Sequence, residues 1–157
     1  MAKQSITKLS VPQFIPRYRV TLVSDGGHTA PCGILRDSAA AAAALRPCFA
    51  GLDREQFLVC CLDAKNVSIG VNIVSIGSLT LSIVHVREVF KSAILLNSCA
   101  ILAVHNHPSG DPTPSPEDRT LTTRLREAGD LLGIRLLDHL ILGDDRLYSF
   151  ADQGWPL

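Results

Sequence analysis

The chain has 157 residues, 46% of them hydrophobic, and its 15 basic and 15 acidic side chains cancel to a formal charge of zero. That length and apolar content suit one folded domain with a substantial core and exclude a disordered chain. Neutrality argues against a nucleic-acid platform, and five scattered cysteines without a Cys-x-x-Cys pair argue against a disulfide framework and for a reducing cytoplasm.

Residues 1–17 read as an N-terminal arm and 18–157 as the domain. The start, Met1 to Pro16, lacks the apolar centre of a signal peptide, and no stretch is long enough to span a membrane. The expectation is therefore a cytoplasmic protein without a membrane partner. Tyr18 to Val23 alternates in the manner of a strand, with a turn at Ser24-Asp25-Gly26-Gly27. His28 falls in a loop-like stretch and reads as a surface residue. Asp37-Ser38 can cap a helix through the alanine run Ala39 to Ala44, ending near Pro47.

Glu55 opens the next strand, Phe57 to Leu62, which is apolar on both faces and so belongs in the middle of a sheet. Asp63 to Asn66 makes a turn into a second strand, Val67 to Ile76. Gly70 and Gly77 have no phosphate-binding spacing around them. Val86 to Asn97 reads as an amphipathic helix through Val89, Phe90, Ala93, Ile94 and Leu96.

Cys99 to Val104 is a short apolar run that reads as a buried strand, and it leads into His105-Asn106-His107-Pro108. Successive side chains on a strand point to opposite faces, so His105 and His107 share one side and Asn106 takes the other. Pro108 to Pro114 reads as loop. Ser115-Pro116-Glu117-Asp118 then starts a helix, with Ser at the cap, Pro at the first position and acids in the first turn, running to Gly133. Arg135 to Leu142 and Leu147 to Phe150 read as closing strands around a turn at Gly143-Asp144-Asp145. The pattern predicts a mixed α/β domain with much of its sheet formed by neighbouring strands.

Two imidazoles at a strand end and a carboxylate separated from them by ten residues supply three ligands, the number a catalytic zinc takes when its fourth position stays open to water. Such a site also needs a base. Glu55, Glu88 and Glu117 are all available, and spacing alone does not choose among them. Asp118 lies three residues after Ser115, so the pair also fits a variant capping box, a role compatible with metal binding. His85 reads as a cap or surface residue, His139 as a buried or supporting histidine, and Cys60 and Cys61 as buried structural thiols.

The run His105 to Asp118, a His-x-His followed by ten residues and an Asp, with Ser three before the Asp, resembles the JAMM (MPN-plus) zinc metalloprotease signature, and its wording is similar to the RadC-like branch of that superfamily. Arg54-Glu55-Gln56-Phe57, Leu62 to Asn66, Gly77-Ser78-Leu79, Val84 to Phe90, Leu137-Asp138-His139 and Tyr148-Ser149-Phe150 extend the resemblance over about Tyr18 to Phe150. It implies a curved, mostly antiparallel sheet flanked by helices, the cytidine-deaminase-like JAB/MPN fold. It also implies a zinc-dependent protease or isopeptidase acting on a protein or peptide substrate, such as a ubiquitin-like protein, with metal-activated water. His105, His107 and Asp118 are the implied metal ligands, Glu55 the acid–base residue and Ser115 the oxyanion donor.

Val86 departs from the Pro that many RadC-like proteins carry at that helix entry, away from the ligands. Full-length relatives carry an N-terminal helix-hairpin-helix region for which this chain has no room, so a DNA-repair role transfers poorly. A DNA-associated or nuclease function and a non-catalytic MPN scaffold remain the alternatives.

Overall fold

A computed structural model describes residues 17–26, 33–77 and 84–156. Its organising element is β1 (Gln56–Leu62), seven residues that are all buried. Strands β2 (Ser68–Ile76) and β3 (Ala100–Asn106) flank it, both antiparallel to it. Beyond β3 lie β4 (Arg135–Leu142), parallel to β3, and the short β5 (Leu147–Ser149), antiparallel to β4. The five strands run in the order β2-β1-β3-β4-β5, a mixed, mostly antiparallel sheet.

Alternation in the central strands sorts the core into two layers. Leu58, Cys60 and Leu62 of β1 join Leu102, Val104, Leu140 and Leu142 beneath α1 (Ser38–Leu45). Phe57, Val59 and Cys61 join Ile101, Ala103 and Leu136 on the opposite face, covered by α2 (Val86–Leu95) and α3 (Pro116–Leu132). A strand buried on both faces has no polar side to offer, which explains the unbroken apolar run in β1. Burial also raises the thiol pKa of Cys60 to about 11.

Local chemistry sets the helix boundaries. Asp37 caps α1, its carboxylate accepting from the Ala40 amide at 2.7 Å. Pro47 does not simply stop that helix; it begins a tighter 3-10 turn over Arg46–Phe49. Helix α3 ends at Gly133, whose φ of +69° is the left-handed conformation that glycine adopts without a Cβ clash. Gly129 in α3 is equally constrained, since a Cβ there would lie 2.5 Å from the Ile134 carbonyl oxygen. That contact lets α3 turn directly back into β4.

The segment Tyr18 to Val23, expected as a strand, carries no regular structure, and Tyr18 and Val23 are 84% and 87% exposed. Its alternation supplies a pattern but no partner: among the described residues, no strand pairs with it. Met1 to Pro16 and His28 lie outside the described residues. Among the described residues, no helix is long and apolar enough to cross a membrane.

Asp138 ties β4 to β5. Its buried carboxylate accepts from the His139 amide at 2.7 Å, the Ser149 hydroxyl at 2.6 Å and the Ala151 amide at 3.0 Å. Burial pushes its pKa up, opposed by these same hydrogen bonds. Asp138→Ala leaves those donors buried without an acceptor, at a cost of about 3 kcal/mol. A fall of that size in the unfolding free energy read from urea titration is the expected result, with a smaller one for Asp138→Asn.

Candidate metal centre

Three elements meet at the end of β3. His105 is its penultimate residue, fully buried and stacked on Phe57 directly opposite in β1 (centroids 5.8 Å apart). His107, one residue past the strand, is held by its backbone amide on Leu142 O at 2.9 Å and by its Nδ1 donating to Asp111 O at 2.8 Å. As the strand alternation predicts, the two rings lie on one side, with Nε2 atoms 3.0 Å apart. Asp118, in the first turn of α3, closes the triangle: Oδ1 lies 3.3 Å from His105 Nε2 and Oδ2 3.6 Å from His107 Nε2.

The capping box forms as well. The Ser115 hydroxyl accepts from the Asp118 amide at 3.1 Å, while Asp118 Oδ2 accepts from the Ser115 amide and hydroxyl, both at 2.7 Å. Oδ2 therefore serves the helix start and also faces His107, while Oδ1 faces His105. The helix dipole adds to the preference for an ionised group at that position.

The electrostatics describe a site built for positive charge. Burial raises the Asp118 pKa, but its contacts with the His105 and His107 imidazoles and the hydrogen bonding of Ser115 together outweigh it and hold the carboxyl well below its usual range. The pKa of His107 is raised, chiefly by its contact with Asp118, against an opposing effect of burial. Donor atoms bound to one zinc at 2.0–2.1 Å and tetrahedral angles lie about 3.3 Å apart. The imidazole nitrogens are 3.0 Å apart, Asp118 offers Oδ1 at 3.3 Å from one and Oδ2 at 3.6 Å from the other, and one donor atom of each residue lies within 4.8 Å of the other two, so the residues present fit a divalent ion. Among the described residues, this is also the one group of three or more potential metal-ligating side chains found close together.

The three glutamates left open by the sequence now separate. Glu88 is paired with Lys91 on the surface of α2, and Glu117 is exposed at the start of α3. Glu55 is half-buried just ahead of β1, and its charge contributes to raising the His107 pKa. Its backbone is clamped on both sides by a residue the sequence reading passed over. Asn106 donates from Nδ2 to Arg54 O at 3.1 Å and accepts at Oδ1 from the Gln56 amide at 2.8 Å. The His-Asn-His spacing signals that Asn106 faces away from the metal; the fifty-residue reach to Arg54 and Gln56 is visible only in the fold.

His139, expected as a supporting histidine, is fully buried on β4 with its Nε2 2.9 Å from His105 Nδ1 and its Nδ1 2.7 Å from the Thr122 hydroxyl. Thr122, which the sequence did not mark at all, also donates to the Asp118 carbonyl at 2.6 Å. The loop after His107 is docked against the β4–β5 turn. Gly110 O accepts from the Asp144 amide at 3.3 Å, and a Cβ at Gly143 would lie 2.3 Å from that same Gly110 oxygen. An open groove of about 600 Å³ runs beside His107, bounded by Phe49, Leu52, Asn106, Pro108 and Leu142.

Comparison with known proteins follows the same residues. Residues 35–155 match the sequence model of the RadC-like JAB domain. Similar proteins include a UPF0758 protein of Desulfitobacterium hafniense (strain DSM 10664 / DCB-2), 54% identical over 103 residues that make up 66% of this chain and 45% of that protein. A UPF0758 protein of Methanosarcina barkeri is 52% identical over 102 residues (65% and 44%), and one of Caldanaerobacter subterraneus subsp. tengcongensis 55% over 104 (66% and 45%). The matched region thus spans less than half the length of these relatives.

Proposed function

Because this chain belongs to the RadC-like JAB domain family, we propose that it is a zinc-dependent hydrolase of amide or isopeptide bonds, with a protein or peptide substrate of the ubiquitin-like kind. The observation that carries this reading is the convergence of His105, His107 and Asp118, brought from β3 and α3 to the spacing of ligands around one ion. Zinc bound there would act as a Lewis acid and make water nucleophilic near neutral pH.

The remaining work falls to side chains of this chain. Glu55 takes the proton from the attacking water and returns it to the leaving amine, the standard duty of a carboxylate placed beside such a centre. Asn106 fixes the backbone on either side of it. Ser115 donates to the oxygen that gains charge as the carbonyl is attacked. For this its hydroxyl turns away from Asp118 Oδ2, which keeps the Ser115 amide as a donor at 2.7 Å.

The test is to measure zinc stoichiometry and then cleavage of ubiquitin-like fusions and isopeptide conjugates. Stoichiometric zinc with no cleavage of any amide substrate would count against the reading. Ser115→Ala separates two roles in the same assay. Loss of a cap alone costs about 1 kcal/mol of stability, whereas loss of an oxyanion donor lowers kcat by about 10²–10³-fold with zinc binding intact.

A further inference from the structure

We propose that Thr122 and His139 form a hydrogen-bond relay that fixes the His105 imidazole in the tautomer whose Nε2 lone pair faces the candidate metal centre; the inference rests on the metal-binding reading given above. A carbonyl oxygen can only accept, so the single hydroxyl hydrogen of Thr122 is committed to Asp118 O at 2.6 Å. Thr122 Oγ1 then has only lone pairs to offer His139 Nδ1 at 2.7 Å, and Nδ1 must carry a hydrogen.

The His139 ring is fully buried, stacked on Phe150 with centroids 5.1 Å apart and tilted against Phe57 at 5.5 Å. Its two nitrogens meet only a hydroxyl and another imidazole, so a second ring proton would be a buried charge with no hydrogen-bonded counterion. With one hydrogen on Nδ1, His139 presents Nε2 as an acceptor. His105 Nδ1, 2.9 Å away, must then donate, and His105 Nε2 is left as a lone pair.

His107 reaches the same state by an independent route, since its Nδ1 can only donate to the Asp111 carbonyl at 2.8 Å. Two nitrogen lone pairs 3.0 Å apart, with a carboxylate oxygen 3.3 Å from one of them, repel one another unless a positive charge lies between. The relay also closes on itself. It starts at the backbone carbonyl of Asp118 and ends at the imidazole facing the Asp118 carboxylate, so α3 and β4 jointly orient two of the three donor groups. Partners behind metal-binding histidines commonly do this: they set the tautomer and the ring angle.

Thr122→Val replaces the hydroxyl with a methyl of similar size, and Thr122→Ser restores it. Long-range ¹H–¹⁵N spectra of the metal-free chain report which nitrogen of His105 carries hydrogen, and chelator competition reports zinc affinity. The wild type and Thr122→Ser are expected to show the Nδ1–H form at His105. Thr122→Val is expected to show a mixture or the Nε2–H form, with zinc affinity lowered about 10–100-fold and restored in Thr122→Ser. An Nε2–H tautomer at His105 in the wild type would overturn the relay even if the valine variant failed to fold. So would a folded Thr122→Val protein with unchanged tautomer and unchanged zinc affinity. A wild-type chain that shows the Nδ1–H form but takes up no zinc would overturn the metal reading and leave the relay standing.

Discussion

Asp118→Asn is expected to lower zinc affinity by at least about two orders of magnitude while leaving α3 in place. An asparagine keeps a carbonyl oxygen that can accept from the Ser115 amide, now 2.7 Å from Oδ2, so the helix start retains its acceptor. What it loses is the negative charge, and the Oδ1 position facing His105 at 3.3 Å becomes a donor amide. Structural zinc sites bind with about 10–16 kcal/mol spread over four ligands, or roughly 3 kcal/mol each, which is about a hundredfold in affinity. The same substitution removes the largest influence raising the His107 pKa, so in the metal-free chain that imidazole should titrate at lower pH than in the wild type. Competition with a chromophoric chelator and an NMR titration of His107 check the two halves separately. Undiminished affinity in Asp118→Asn would reduce Asp118 to a helix cap.

Glu55→Gln is expected to lower turnover on amide substrates by about 10²–10⁴-fold with zinc occupancy and thermal stability unchanged, the range for loss of a general acid–base group. Glutamine preserves size and hydrogen bonding but cannot exchange a proton. Among the described residues, the carboxylate has no hydrogen-bond partner to lose. Glu55 contributes its backbone carbonyl to the Gly77 amide at 2.8 Å, while its side chain acts at a distance on His107. Single-turnover assays on zinc-loaded protein would separate chemistry from product release. Retained turnover in Glu55→Gln, with Glu88→Gln and Glu117→Gln as controls, would remove Glu55 from the mechanism and leave water or another group as the base.

The parts of this site that are local in sequence were legible there. The strand alternation that puts His105 and His107 on one side, and the cap that brings Asp118 to the first turn of α3, are both contained within fourteen residues. Helix α3 and its stop at Gly133, the burial of β1 on both faces and the supporting place of His139 also follow from composition and period. The choice of Glu55 came from family resemblance, because its relation to His107 depends on the pairing of β1 with β3. Asn106 and Thr122 escaped for the same reason. One reaches across fifty residues to clamp two backbone groups, and the other meets His139 only because α3 packs beside β4. The false strand at Tyr18 to Val23 shows the converse: alternation describes a face, and only a neighbouring edge turns it into a sheet.

Cys60 and Cys61 sit in β1 with both thiols pushed towards the protonated form, as is that of the buried Cys48, whereas Cys99 is exposed. Alkylating reagents attack thiolates, so at neutral pH Cys99 should be modified at once and the inner pair only when the sheet opens. The slow phase of modification is therefore a clock for that opening. An ion bridging β3 and α3 should slow it by the factor with which binding favours the closed protein, so occupancy could be read without any substrate in hand.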